Sequence, residues 1–418
     1  MPDTAIPRLG GFEHTLAFLR DGYAFVSRNC DALGTDRFRA RIMLTPVLCA
    51  RGASAARMFY AGDRFTRQGA MPPTVLRLLQ DKGSVQGLDG AAHRHRKRLF
   101  IDLLMREAGL AELVALFEEE WLTALADWAT RPGIVVFDEA NLVLTRAVCR
   151  WAGVPLDGIG DVQMCHALSS MIENAGSIGP VIVPALLRRR RTERQIAALV
   201  ERSRAGLGRT DTALWRIAHF EDAEGVPLSV EAAAVEVINI LRPTVAIGRY
   251  IMFAAMALHQ HRSWRVALHG ADDAHYARFA EEVRRVYPFF PVVGGIAKAS
   301  FDWEGAAIAE GDWVLLDLYG TNHDPRRFAE PGVFDPTRAP SWRDQGFDFV
   351  PQGGGKVPET HRCPGEQLTM ALMRSAIRMM VEKMDYTVPE QDLSMPLHRM
   401  PARPASGMGL AGVRPAGT

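Results

Sequence analysis

Phe349-Val-Pro-Gln-Gly353-Gly354-Gly355-Lys356-Val-Pro-Glu-Thr-His361-Arg362-Cys363-Pro364-Gly365-Glu366 is the stretch that decides how this chain folds. One cysteine stands behind a glycine-rich loop and directly ahead of a strongly helical run. The glycines let backbone amides approach the sulfur and lower its basicity. The helix that begins after Gly365 aims its N-terminal dipole at the anion. A thiolate so placed can be the sole axial protein ligand of a buried haem iron, where it pushes electron density onto the metal and favours O–O cleavage. His361, two residues earlier, is in reach of a haem propionate.

The other cysteines sharpen this reading. Cys30, Cys49, Cys149 and Cys165 are widely spaced and form no Cys-x-x-Cys pair. Five is an odd number, which argues against a disulfide framework and against structural zinc. The four are expected to be small, reduced core residues.

Composition narrows the class. Forty-nine basic residues nearly cancel 48 acidic ones, so no global field favours nucleic acid. No run approaches the roughly 20 apolar residues of a membrane span. Met1-Pro-Asp-Thr-Ala-Ile-Pro7 has neither a basic nor an apolar leader region, so no membrane anchor and a cytoplasmic location are expected. The run Arg188 to Arg191 reads as a solvated helix face. No Pro/Gly/Ser linker, repeat or low-complexity stretch divides the chain, and residues 1–418 are expected to form a single domain.

Helical periodicity covers residues 12–30, 106–130, 140–152, 185–206, 229–262, 272–287 and 365–384. Strand-like pieces lie near 38–50, 301–303, 306–309 and 313–317. The expected fold class is mainly α with small β-sheets.

The cysteine loop resembles the haem-thiolate motif of the cytochrome P-450 superfamily, and the resemblance extends over essentially the whole chain. It implies the P-450 fold, a haem b cofactor (iron protoporphyrin IX) and Cys363 as the metal ligand. Glu282-Val-Arg-Arg285, about 80 residues before the cysteine, matches the superfamily's structural Glu-x-x-Arg pair. Its spacing puts carboxylate and guanidinium on one helix face. The resemblance implies a third partner between Asn322-His323 and Arg338. His93 and Lys97, four residues apart in Asp89-Gly-Ala-Ala-His-Arg-His-Arg-Lys97, share a face and are implied to contact the propionates. Arg67 is a further candidate cation beside the haem.

The helix at 229–262 departs from the ordinary pattern. Monooxygenases of the superfamily carry an acid–alcohol pair there that relays protons to bound dioxygen. This chain reads Glu236-Val-Ile-Asn239-Ile-Leu-Arg242-Pro243-Thr244-Val-Ala246, with Arg242-Pro243 where the pair is expected. A buried arginine is costly without an anion. A proline in mid-helix costs roughly 3 kcal/mol and frees the carbonyl of Asn239. Either Arg242 pairs with an internal Asp or Glu, or it holds a substrate carboxylate as a bidentate charge-assisted pair.

Leu241-Arg-Pro-Thr-Val-Ala246 closely resembles the fatty-acid peroxygenase branch. So do Val85-Gln-Gly-Leu-Asp-Gly90, Val286-Tyr-Pro-Phe-Phe-Pro291 and the Pro-Gln-Gly-Gly-Gly form of the loop. This implies hydroxylation of long-chain fatty acids at the α or β carbon. Hydrogen peroxide is the implied oxidant, and no redox partner is needed. The substrate carboxylate, held by Arg242, is implied to stand in for the missing acid–base group, with Pro243 and Gln86 in the catalytic set. A histidine at the position of Gln86 goes with alkene-forming members, so glutamine favours hydroxylation. Phe289, Phe290 and Pro291 are implied to line the channel. Gln80 stands where relatives carry apolar groups. A fatty-acid decarboxylase, a reductase-fed monooxygenase and a non-catalytic haem or fatty-acid-binding protein are the alternatives.

Overall fold

The computed structural model describes residues 6–81, 83–177, 179–338 and 346–417. The N-terminal residues 1–5, on which part of the leader reading rests, lie outside them.

The 31-residue helix Val230–Gln260 runs through the middle of the main core and is buried along most of its length. A helix apolar on every side is stable only when surrounded. Its start is fixed by Ser229, whose hydroxyl accepts from the Ala232 N–H at 3.1 Å. The helices Val136–Ala152, Val183–Arg204 and Glu366–Arg378 pack against it. Gly248 permits close approach of the first of these, since a Cβ there would fall 2.1 Å from the Asn141 side-chain oxygen. Asp272 caps Asp273–Val286 in the same way, accepting from the His275 N–H.

Ten strands are found among the described residues. β1 (Arg37–Ile42), β2 (Thr45–Arg51), β8 (Trp313–Asp317), β5 (Val292–Ala297) and β3 (Phe65–Thr66) form one sheet in that spatial order. Only β2 and β8 run parallel in it. β4 (Gly133–Val135), β10 (Gly409–Pro415) and β9 (Met384–Thr387) form a second sheet. β6 (Phe301–Trp303) and β7 (Ala306–Ile308) form a hairpin. No helix among the described residues is long and apolar enough to cross a membrane.

Most expected helices are present with ends shifted by a few residues. The expected helix 12–30 is broken at Gly22, which has φ 53°; a Cβ there would lie 2.0 Å from the Leu397 carbonyl oxygen. The expected helix 365–384 stays α-helical only to Arg378; its last turn widens and Met384 opens β9. The stretch 38–50 is two strands, turned at Met43 and Leu44, both with positive φ. β5 went unread because Gly294 and Gly295 depress strand propensity. Both are needed there: a Cβ on Gly294 would meet the Ala70 carbonyl at 2.1 Å, and one on Gly295 would press on the Phe59 ring.

Candidate active site

The cysteine loop is shaped by close approach. Gly353 and Gly355 have φ of 99° and 78°, and a Cβ on Gly353 would lie 2.9 Å from the Arg362 Cα. The Cys363 N–H donates to the Gln352 carbonyl at 2.9 Å. The Thr360 hydroxyl donates to the Gly354 carbonyl, and Lys97 donates from its ammonium to the carbonyls of Thr360 and Arg362.

Two charge ladders run from the helix Asp273–Val286, one to the segment 331–338 and one to this loop. Arg285 donates to both Glu282 oxygens, at 2.8 and 2.6 Å, and also to the carbonyls of Pro331 and Val333. Arg338 completes the set at 3.2 Å from Glu282. The pair is fully buried and so is no surface decoration. One residue earlier runs a second ladder that the sequence did not disclose. Arg284 meets Glu281 at 2.7 Å and Glu366 at 2.5 Å, and donates to Gln352 at 3.0 Å. Arg362 continues it to Glu366 at 2.6 Å and to the Gly355 carbonyl.

Cys363 faces a cavity with about 860 Å³ of empty space, part of it open to solvent. Phe100, Leu104, Ile240, Ile247 and Leu368 supply apolar walls, while Gln86, Asn239, Pro243 and Thr244 add polar or backbone groups. The Thr244 hydroxyl is turned to the Ile240 carbonyl at 2.8 Å. His93, Lys97 and His361 also line the cavity, and the two histidine rings stack at 4.0 Å. Arg67 lies with His93 and His361 around an adjoining cleft, donating to the Gly294 carbonyl and covering the Phe59 ring. None of these four groups has a carboxylate within ion-pair distance among the described residues. Burial, with the neighbouring positive charges, pushes His93 down to about 4, and burial alone accounts for most of the fall of Lys97 to about 8.

An apolar slot with a cysteine on one side and unpaired basic groups at its edge fits an iron porphyrin with two carboxylate arms. Burial pushes the Cys363 thiol up, opposed by the Gly365 N–H and by Lys97 and Arg284. The remaining cysteines are free thiols; Cys30, Cys49 and Cys149 are buried, and burial lifts their thiols too.

Arg242 is 5% exposed and has no carboxylate within ion-pair distance among the described residues. It donates to the Leu78 carbonyl at 3.1 Å and to the Asn239 side-chain oxygen at 3.3 Å. Burial, reinforced by the charge of Arg189, pushes its pKa well below the usual arginine range. Arg242 is not itself in the cavity lining; Asn239 and Pro243 on either side of it are. The run at 188–191 is not one solvated face, because Arg189 turns inward. Arg189 shares the Leu78 carbonyl at 3.4 Å and pairs with Glu193 at 2.6 Å.

Phe289, Phe290 and Pro291 are absent from the cavity lining. Phe289 stacks on Tyr250 at 4.3 Å, and Phe290 is 43% exposed. Gln80 ends the helix Pro73–Leu79 and is likewise outside the lining. Sequence reasoning passed over Glu236 and Asn239 as functional side chains. The available signal was their spacing with Arg242, three polar residues one turn apart on an apolar helix.

The cytochrome P450 family model matches residues 277–409. The structure of cytochrome P450EX alpha (CYP152N1) with myristic acid superposes with a TM-score of 0.93 at 38% identity, over 99% of this chain and 100% of that one. Cytochrome P450SP alpha (CYP152B1) with (R)-ibuprophen gives 0.94 at 44% identity, over 97% and 100%. A single-residue variant of cytochrome P450 OleT with arachidonic acid gives 0.95 at 31% identity, over 99% and 100%. Fold and relatives together define a haem-dependent oxidoreductase. The chain belongs to the cytochrome P450 family, and its solved neighbours are fatty-acid peroxygenases of the CYP152 branch that its motifs resemble.

Proposed function

We propose that this enzyme uses hydrogen peroxide to hydroxylate long-chain fatty acids at the α or β carbon, with the substrate carboxylate held by Arg242. The observation that carries this is a buried guanidinium on the cavity helix with no protein carboxylate beside it. Its two hydrogen bonds leave three N–H donors for a ligand. A carboxylate entering beside Asn239 and Gln86 relieves both the burial of the charge and its repulsion from Arg189. The bound myristic and arachidonic acids of the solved relatives support the ligand class.

Cys363 would hold the iron of haem b, and His93, Lys97, His361 and Arg67 would hold its carboxylates. When bound, this group supplies the oxidising power that inserts one peroxide oxygen into a C–H bond, the other leaving as water. Arg242 fixes the head group and so decides which carbons stand nearest the cysteine side of the cavity. The substrate carboxylate oxygen takes a proton from peroxide and returns it to the departing oxygen. Pro243 and Thr244 offer no competing acid, since the Thr244 hydroxyl is committed to Ile240.

Arg242→Ala tests this. With myristate and peroxide, without reductase, efficiency should fall by about 2–5 kcal/mol, several powers of ten, while the haem spectrum stays intact. Acetate should partly restore oxidation of non-carboxylate substrates by the unmodified enzyme. Near-normal myristate turnover by Arg242→Ala overturns the reading.

A further inference from the structure

Two turns before Arg242 the long helix carries a carboxylate that is 0% exposed, that of Glu236. One of its oxygens accepts from the Val85 N–H at 2.8 Å and from Arg96 at 3.0 Å. The other accepts from the Asn239 amide nitrogen at 3.0 Å. The Asn239 nitrogen also donates to the Gln86 side-chain oxygen at 3.2 Å, and the Asn239 oxygen accepts from Arg242. The network therefore spans the helix Gly90–Leu104, the turn Val85–Gly87 and the long helix.

Chemistry allows one arrangement of this chain. An ionised carboxylate only accepts and a guanidinium only donates. Asn239 lies between them, so its nitrogen must face Glu236 and its oxygen must face Arg242. Gln86 receives the second Asn239 N–H on its oxygen, which leaves its own NH₂ group for the cavity it lines. Burial pushes the Glu236 acid up; the Asn239 amide, Arg96 and the Val85 N–H oppose that.

We infer that Glu236 is a positioning residue: its carboxylate orients the Asn239 amide and, through it, sets Arg242 and Gln86 as donors to an incoming carboxylate. This rests on the substrate reading above and adds a residue to it. A neutral glutamine at 236 can turn its own NH₂ group toward Asn239. The Asn239 amide then reverses, its oxygen leaves Arg242, and Gln86 reverses in turn.

The test is Glu236→Gln in the haem-loaded enzyme, read by the shift that myristate causes in the haem absorption band. Myristate affinity should fall by about tenfold or more, the loss of one oriented hydrogen bond to a charged group. Affinity for imidazole, a neutral ligand of haem iron, should stay within about twofold of the parent. In an Asn239→Ala background the Glu236→Gln change should alter myristate affinity by less than about twofold, because the route through the amide is gone. Unchanged myristate affinity, an equal loss in both backgrounds or a matching loss for imidazole overturns the inference. If Glu236→Gln loses haem, Asn239→Leu decides, since it keeps the Glu236–Arg96 pair: a loss of about tenfold supports the role and an unchanged affinity sinks it. If Arg242→Ala turns myristate over normally, the substrate reading fails; if only the Glu236 and Asn239 variants are silent, this inference alone fails.

Discussion

Cys363 differs from the other four cysteines in what surrounds it. Burial in apolar packing lifts the Cys30 and Cys149 thiols to about 12, which makes them inert. Burial raises the Cys363 thiol as well, but this cysteine faces a cavity, and the Gly365 N–H, Lys97 and Arg284 oppose the rise. Cys363→Ala should abolish the absorption band at roughly 450 nm of the reduced carbon monoxide adduct, and a protein that keeps the band is not ligated here. At Gln86 the prediction concerns product. The side chain lines the cavity and is fixed by Asn239, so it offers an amide rather than an acid. Hydroxy acid should dominate over terminal alkene, and Gln86→His should raise the alkene fraction measured by gas chromatography. Arg242 was legible because an arginine stands out in an apolar run. Glu236 and Asn239 were not, since single polar residues at helical spacing are common and only the fold brings Gln86 and Arg96 to them. Arg189 was hidden inside a run of arginines whose other members are at least partly exposed.

Of the two ladders on the helix Asp273–Val286, the one through Arg284 anchors the cysteine loop and the one through Arg285 holds the segment 331–338. Each puts guanidinium and carboxylate one helical turn apart, with their further partners outside the helix. Arg284→Ala removes the buried guanidinium that Glu281 and Glu366 share, while Arg362 stays with Glu366. It should cost about 3–5 kcal/mol in denaturant unfolding, against less than about 1 kcal/mol for Arg374→Ala in the exposed pair with Asp273. A loss at Arg284 no larger than at Arg374 would show the second ladder to be ornamental. Elements with long periodic patterns were legible in the sequence. The short helices Gly52–Tyr60 and Asp161–Glu173 were not marked, and neither were β3, β4, β9 and β10. Strands of two to seven residues carry little pattern of their own, and partners distant in the chain decide their pairing.

Over the whole molecule, the parts of the site are drawn from far apart in the sequence. Arg67, His93 and Lys97 come early, Arg242 near the middle, and His361 with Cys363 late. The last strand, β10, closes a sheet begun by β4, and the Ala402 carbonyl accepts from buried Arg249 on the long helix. The long-range order has a consequence for biosynthesis. A ribosome adds roughly 5–20 residues per second, so tens of seconds separate the emergence of the basic cradle from that of the cysteine. During that interval Lys97 lacks the carbonyls of Thr360 and Arg362, His93 lacks the His361 ring it stacks on, and the thiol of Cys363 has not been made. On the proposed assignment of Cys363 and His361, haem capture is therefore a late event in the life of the chain. Nascent chains stalled before Cys363 has left the exit tunnel should take up no haem with a thiolate spectrum, while release of the finished chain should allow it.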